Sequence, residues 1–184
     1  DARVNYTLEN RVHDKLEPHE ISTLIAKGDS DVHNKLINNF PEKLEPHHIK
    51  ELIDRGDGGT HTNIINKIND KLDSSHISAL IAKSPDLHND MIHKFPDKLE
   101  PKHIGEIIDN GQTGTKFNLI NNFSSKLEPH HISELIDKGN IDTKISTIKM
   151  FRDTLKPSHI SELIEKGGPS VHGDIISRLG NRLK

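Results

Sequence analysis

One short motif recurs along this chain at nearly constant spacing, and no other feature restricts the fold as strongly. The motif is centred on a leucine that is usually followed by Glu-Pro, and successive copies lie 28, 28, 27, 28, 28 and 28 residues apart. The leucines are Leu16, Leu44, Leu72, Leu99, Leu127, Leu155 and Leu183. Internal periods of roughly 20–50 residues indicate solenoids or propellers.

Helical periodicity within one copy favours the solenoid. In the copy that begins at Leu127, Pro129 suits the first position of a helix, where its missing N–H costs nothing. Ile132 and Leu135 follow at helical spacing, and Gly139 is predicted to end this first helix as a left-handed cap. A turn of three to four residues and a second helix of roughly ten residues are predicted to follow.

The predicted fold is an all-α, right-handed superhelical solenoid of six helix–turn–helix repeats of about 28 residues. The repeats are predicted at 16–43, 44–71, 72–98, 99–126, 127–154 and 155–182. Residues 1–15 are predicted to be a partial repeat that caps the N-terminal end, and residues 183–184 to open a truncated seventh repeat.

Composition restricts the class of partner. The chain carries 25 Lys+Arg and 28 Asp+Glu, so its net charge of −3 argues against coating nucleic acid by bulk charge alone. It has no cysteine, which suits a reducing intracellular compartment, although a secreted bacterial effector would fit as well. No apolar run approaches the length of a membrane span, and we expect a monomer that does not associate with membranes.

Fourteen histidines raise the question of metal or catalytic chemistry. Most of them recur at two fixed repeat positions, and a residue that is copied with its repeat is predicted to be structural. Neighbours such as His47 and His48 are expected not to face one way on a helix, so no metal site is predicted. Because no nucleophile–base pair or phosphate-binding glycine loop is present either, we predict no enzymatic activity and no cofactor.

The turn between the two helices varies from copy to copy, while most other positions are nearly constant. The turns read Asp29-Ser30-Asp31, Asp57-Gly58-Gly59, Pro85-Asp86, Gln112-Thr113-Gly114, Asn140-Ile141-Asp142 and Gly168-Pro169-Ser170. A constant frame with a variable tip is typical of modular recognition. Drift of exposed turns would produce the same pattern, so both interpretations stay open.

Two rows of cationic or titratable residues flank these turns. Five copies place a cation just before the residue that ends the first helix, namely Lys27, Arg55, Lys83, Lys138 and Lys166. A cation at a helix C-terminus is also favourable for purely structural reasons. A second row of His or Lys opens the second helix, where free backbone N–H groups can hold a phosphate. Together the rows predict a basic stripe that could follow a polyanion.

The opening of the repeat resembles that of transcription activator-like (TAL) effector repeats. The segment from Leu127 to Leu135 has their Leu-x-Pro-x-x-Ile/Val-x-x-Leu/Ile pattern, and Asp57-Gly58-Gly59 is similar to their inter-helix turn. The resemblance extends over the whole chain in weak form. It implies that each turn faces one base in the major groove of DNA and that the start of the second helix contacts phosphate.

The resemblance therefore implies two sets of site residues. The base-facing candidates are Asp29, Ser30, Asp57, Gly58, Pro85, Asp86, Gln112, Thr113, Asn140, Ile141, Gly168 and Pro169. The phosphate candidates at the second helix are Thr60, His61, Thr115, Lys116, Thr143 and Lys144, and the row of Lys27, Arg55, Lys83, Lys138 and Lys166 joins them. Asp would accept a hydrogen bond from cytosine, and Asn or Gln would pair with adenine.

Two functions follow as predictions. The first is a modular array that tracks double-stranded DNA with its inter-helix turns. The alternative is a protein-binding helical scaffold, such as a bacterial effector or a designed repeat protein, that holds a protein partner along its length. A basic surface and a steep salt dependence would favour the first, and an exposed apolar or aromatic groove would favour the second.

Overall fold

The computed structural model describes residues 16–184, and these residues form α-helices and short 3-10 helices with no β-strand among them. The first helices of the repeats are α1 (Pro18–Lys27), α3 (Pro46–Arg55), α5 (Ser74–Lys83), α7 (Pro101–Asn110), α9 (Pro129–Lys138) and α11 (Pro157–Lys166). The second helices are α2 (Ser30–Asn39), α4 (Gly58–Lys67), α6 (His88–Lys94), α8 (Thr113–Asn122), α10 (Ile141–Phe151) and α12 (Pro169–Leu179). The predicted cap at residues 1–15 lies outside the described residues.

The described chain divides into two compact units, one ending at Ser84 and the other beginning at Pro85. In the first unit, α1 packs on α3, α3 on α5 and α2 on α4. In the second unit, α7, α9 and α11 pack in that order, and so do α6, α8, α10 and α12. Within each unit, first helices thus form one layer and second helices another. The all-helical prediction is confirmed.

The first helices begin as the sequence predicts, and a histidine at the third helical position explains why. In α9, the backbone N–H of Glu128 donates to Nδ1 of His131 (2.9 Å), which closes a capping box. Nε2 of the same ring donates to the carbonyl oxygen of Pro101, the first residue of α7 (2.9 Å). One buried imidazole therefore caps its own helix and bonds to the preceding repeat. The same pair of bonds is made by His48, His76 and His159.

The prediction that glycine ends these helices in a left-handed conformation is wrong. Gly139 is extended, with φ −79° and ψ 155°, and no glycine of the described residues has a positive φ. Space is the physical reason for glycine here. A Cβ atom on Gly139 would lie 2.5 Å from the carbonyl oxygen of Leu135 and 2.6 Å from Cγ2 of Thr143. Glycine therefore lets the second helix start directly against the end of the first.

The connection between the helices is also shorter than predicted. Only Gly28 and Asp29 lie between α1 and α2, and the equivalent pairs join α3 to α4, α7 to α8, α9 to α10 and α11 to α12. The second half of each predicted turn is the first turn of the second helix. The hairpin of α5 and α6 differs, because a 3-10 helix at Pro85–Leu87 replaces this connection where the repeat is one residue shorter.

The core consists of isoleucine and leucine copied at the same positions. In α9 and α10, Leu135, Ile136 and Ile148 are fully buried. Two equivalent positions in the last hairpin differ, since Ile164 is 50% and Ile176 69% exposed. Within each unit, the helices of a following repeat pack over this side of the hairpin before it, so the exposure marks the face that a following repeat would cover.

Candidate binding surfaces

The residues predicted to face bases have structural roles at the start of the second helices. The side chains of Asp29, Asp57 and Asn140 are helix caps that accept hydrogen bonds from backbone N–H groups three residues later, at 3.1, 2.9 and 2.9 Å. A hydrogen bond from Ser30, followed by that from the Thr60 backbone, lowers the pKa of Asp57 to about 2. These polar atoms are already engaged within the fold.

Neighbouring turns also bond to one another. The hydroxyl of Ser30 donates to Oδ2 of Asp57 (2.5 Å), and Nε2 of Gln112 donates to Oδ1 of Asp86 (2.7 Å). The other candidates are solvent-accessible: Gly58, Thr113, Ile141 and Pro169 are exposed, and Pro85 and Gly168 are half-buried. In each unit, one pair of exposed neighbouring turns is thus joined by a side-chain hydrogen bond. Whether they contact bases stays a prediction.

Removing one of these caps is expected to destabilise its helix. Asn140→Ala should lower the free energy of unfolding by about 1 kcal/mol, because the Thr143 N–H loses its acceptor. Gln112→Ala is the matched control, since Gln112 occupies the same repeat position, makes no cap bond and loses only its exposed side-chain bond to Asp86. Urea titration followed by circular dichroism measures both variants. Equal losses would mean that the Asn140 cap contributes nothing specific.

The phosphate candidates of the second helices lie in the interior. Thr60, Thr115 and Thr143 are buried. Nζ of Lys116 donates to the carbonyl oxygen of Gly111 (2.9 Å), and Nζ of Lys144 to that of Gly139 (2.5 Å). Burial lowers the pKa of both ammonium groups, although the hydrogen-bond partners of each are carbonyl oxygens that suit the charged form.

Histidine performs the same task where lysine is absent. Nε2 of His61 bonds to the carbonyl oxygen of Ile53 (2.7 Å), and its Nδ1 to the hydroxyl of Ser84 (2.6 Å). His and Lys therefore exchange at this position because either can satisfy a carbonyl left unpaired at the end of the first helix. The exchange of His and Lys was the sequence signal that this position is structural. The six phosphate candidates of the second helices are buried and therefore add no charge to the surface.

The cations at the ends of the first helices are exposed, but several of them bond to carboxylates or carbonyl oxygens of the preceding repeat. Nζ of Lys138 lies 2.7 Å from Oδ1 of Asp109, and Lys166 pairs likewise with Asp137. These acidic partners raise the pKa of both lysines. Lys83 donates to the carbonyl of Asp54 (3.3 Å).

Arg55 follows the same pattern on its own helix. Its Nε lies 2.9 Å from Oε2 of Glu51, and its Nη1 donates to the carbonyl of Ala26 (3.5 Å). Lys27, at the same repeat position, is exposed. At Arg55, Lys138 and Lys166 the surface is therefore of mixed charge, because a carboxylate of a first helix lies beside each cation.

A surface that the sequence interpretation missed lies between successive second helices. In the first unit, Nδ2 of Asn63 on α4 donates to Oδ1 of Asn34 on α2 (3.3 Å). An open groove of about 330 Å³ runs beside this pair, and it is lined by Asn34, Asn38, Gly59, Thr62, Asn63, Asn66 and Lys67. Four of its seven residues are asparagines, so the groove presents amides and carries a single charged side chain.

The second unit repeats this arrangement between α6 and α8. Nδ2 of Asn118 donates to Oδ1 of Asn89 (3.0 Å), and Asn122 donates to Asn118 (2.8 Å). A groove of about 330 Å³ is lined here by Ile92, His93, Pro96, Asn118, Asn122 and Phe123. The available sequence signal was the recurrence of asparagine on the outer side of the second helices.

Two sets of side chains could present metal ligands, Glu45/His47/His48 and the equivalent Glu128/His130/His131. The rings of His47 and His48 lie 4.0 Å apart, so the prediction that such neighbours cannot share a face is wrong. His48 already uses both ring nitrogens, which leaves Glu45 and His47 to hold an ion. Two ligands at a helix N-terminus, where the dipole disfavours cations, make a weak cation site.

Comparisons with protein-family models, with curated proteins and with solved structures find no match to this chain. None of the helices in residues 16–184 has the length and apolar character that a membrane span requires. The function is therefore inferred from the surfaces described above.

Proposed function

We propose that this chain is a protein-binding helical repeat scaffold that holds extended segments of a polypeptide partner in the grooves between its second helices. The observation that carries the proposal is the pairing of asparagines across neighbouring second helices, seen at Asn34–Asn63 and again at Asn89–Asn118. A side-chain amide offers a carbonyl acceptor and N–H donors, and a peptide group offers one of each in return. A row of such amides can therefore bond to successive peptide groups of a bound chain.

Charge supports a polypeptide more than a polyanion. Binding to DNA gains most of its affinity from cations that neutralise phosphates. Here Lys116 and Lys144 are buried, and Lys138 and Lys166 are paired with Asp109 and Asp137. The grooves themselves are nearly uncharged. Modular DNA binding through the exposed turns, predicted above, is the competing outcome of the test.

The proposal includes the finer predictions about the fold. Six hairpins would follow a right-handed superhelical course and act as a monomer, with a binding rather than a catalytic role. Each hairpin would contribute one edge to a groove, so the length of partner that is bound would grow with the number of hairpins.

Selection from a random peptide library, with a randomised DNA duplex pool in parallel, tests the proposal. We expect peptides to be enriched, and the double variant Asn63→Ala/Asn66→Ala to weaken their binding by about tenfold, because two amide contacts are lost. Asn181→Ala, exposed outside both grooves, is the matched control. Recovery of duplexes without peptides, with affinity that falls steeply as salt is raised, would establish the DNA reader instead.

A further inference from the structure

The repeat pattern is broken at several adjacent positions where α10 ends. The other five repeats finish with a 3-10 helix whose last residue is a cation, namely Lys43, Lys71, Lys98, Lys126 and Arg182. The repeat that begins at Leu127 has Thr154 at this position, and residues 152–154 form a simple turn instead of a 3-10 helix. This junction therefore differs from its counterparts in both sequence and backbone.

In two repeats the cation at this position bonds to the anchor leucine, whereas Lys126 donates instead to the carbonyl oxygen of Pro96 and pairs with Asp97. Nζ of Lys43 donates to the carbonyl oxygen of Leu16, the anchor leucine of its own repeat (3.4 Å), and Arg182 donates to the equivalent carbonyl of Leu155. Thr154 is too short for this bond, and its hydroxyl donates to the carbonyl of Phe151 within its own turn (3.3 Å). A lysine or arginine at position 154 would cross the space beside Leu127, and with threonine this space is left open.

A pocket of about 380 Å³ occupies that space. It is lined by Ser124, Ser125, Leu127, Pro129, Ile132, Met150, Phe151, Thr154 and His159. Met150 is 42% exposed, although earlier repeats have Asn or Lys at its position. Leu127 is half-buried, whereas the anchors Leu99 and Leu155 are buried. The pocket thus has an apolar floor and wall that the regular repeat does not expose.

The chain around this pocket is also more basic than the equivalent segments of the four preceding repeats, while residues 177–184 of the last repeat carry three cations and no carboxylate. Residues 149–156 carry three cations, Lys149, Arg152 and Lys156, and the single carboxylate of Asp153. The equivalent residues 66–73, 93–100 and 121–128 carry equal numbers of cations and carboxylates, and 38–45 carry one carboxylate in excess. The cations Lys149, Arg152 and Lys156 are exposed. Carboxylates on an occupant would therefore be attracted to the rim.

We propose that this pocket is an anchor site for one large apolar side chain of an acidic segment of a protein partner. The proposal rests on the proposed protein-binding function and gives it a position and a partner chemistry. The side chain, such as Leu, Met or Phe, would contact Met150, Phe151 and Ile132. Flanking Asp or Glu residues of the partner would lie near Arg152 and Lys156.

Thr154→Lys tests the site by restoring the residue that the other repeats carry. The probe is a labelled peptide with one leucine between glutamates on a Gly/Ser background, and anisotropy measures its binding. We expect Thr154→Lys to weaken binding by about tenfold or more, because the longer side chain would cross the pocket and exclude the leucine, which outweighs the attraction of one added exposed charge. Met150→Asn should weaken binding by a similar factor, since apolar burial is lost. Ser161→Lys adds the same charge at an exposed position outside the pocket and should leave affinity within about twofold.

Each other outcome overturns a specific part of the account. Unchanged binding in Thr154→Lys, with weaker binding in Asn63→Ala/Asn66→Ala, would overturn the pocket assignment but leave the scaffold proposal standing. Failure of the wild-type chain to bind this probe would overturn the pocket, while the random peptide selection decides the general function separately. A pocket that binds a fatty acid but not the peptide, or that holds a second copy of the chain, would contradict the assigned occupant. An unchanged thermal unfolding temperature would show that the Thr154→Lys variant is folded.

Discussion

Acidification from about pH 7.5 to about pH 5 is expected to lower the thermal unfolding temperature of this chain. The cause is the buried His131, which caps α9: its Nδ1 accepts the backbone N–H of Glu128 and its Nε2 donates to the carbonyl oxygen of Pro101. Protonation places a second proton on Nδ1, where it faces the N–H donor, so the cap bond is lost.

His131 fixes the direction of the effect. Burial, followed by a smaller contribution from neighbouring His130, lowers its pKa below the usual 6.5, while the Pro101 carbonyl and Glu128 oppose this change. Between the lowered pKa and 6.5, the unfolded chain binds more protons than the folded chain. Stability is therefore fully present above about pH 6.5 and is lost as the pH falls through the range below it.

The matched variant is His131→Gln. Gln can accept the same backbone N–H, as Glu20 does for Glu17 at this position of the first repeat (3.1 Å), but it does not titrate in this range. We expect this variant to be less stable at neutral pH and to have a flatter profile of unfolding temperature against pH. An equally steep profile would show that His131 does not cause the acid sensitivity.

Replacing Ile148 by Ala is expected to cost about 2–5 kcal/mol of unfolding free energy. Its side chain is fully buried on α10, and the cavity left behind is added to the lost apolar burial. Ile176→Ala is the same change at the same repeat position, but this side chain is 69% exposed, and the expected cost is below about 0.5 kcal/mol.

Urea titration of the two variants measures this difference. A large loss for Ile148→Ala alone would show that each hairpin depends on the following one for its core. Comparable losses would contradict that account, because they would require Ile176 to be covered in solution. A large loss of unfolding free energy for Ile176→Ala alone would exclude this dependence on the following hairpin.

Much of the fold follows from local sequence. Proline at the first helical position and the capping residue before it fix the starts of the first helices, because both act within one turn. The conformation of Gly139 was predicted wrongly because it depends on Thr143 and on how closely the second helix approaches. The turn was predicted too long for a related reason, since Asn140 acts as a cap and not as a free tip.

The candidate site was less accessible to sequence reasoning. Lysine is usually exposed, so the burial of Lys116 and Lys144 was indicated only by the exchange of His and Lys at one position. The pairing of Lys138 with Asp109 joins residues 29 positions apart and depends on how adjacent repeats are placed. The pairs of asparagines between second helices depend on the same placement, which periodicity alone does not define.

The most direct test of the central claim is a competition between the two classes of partner. A labelled peptide taken from the random selection is bound to the wild-type chain, and a randomised DNA duplex is titrated in at low and at near-physiological salt while anisotropy is recorded. We expect the peptide to stay bound, with an affinity that falls with salt far less steeply than that of a DNA duplex would. Displacement of the peptide by the duplex, or direct duplex binding that weakens steeply with salt, would contradict the central claim.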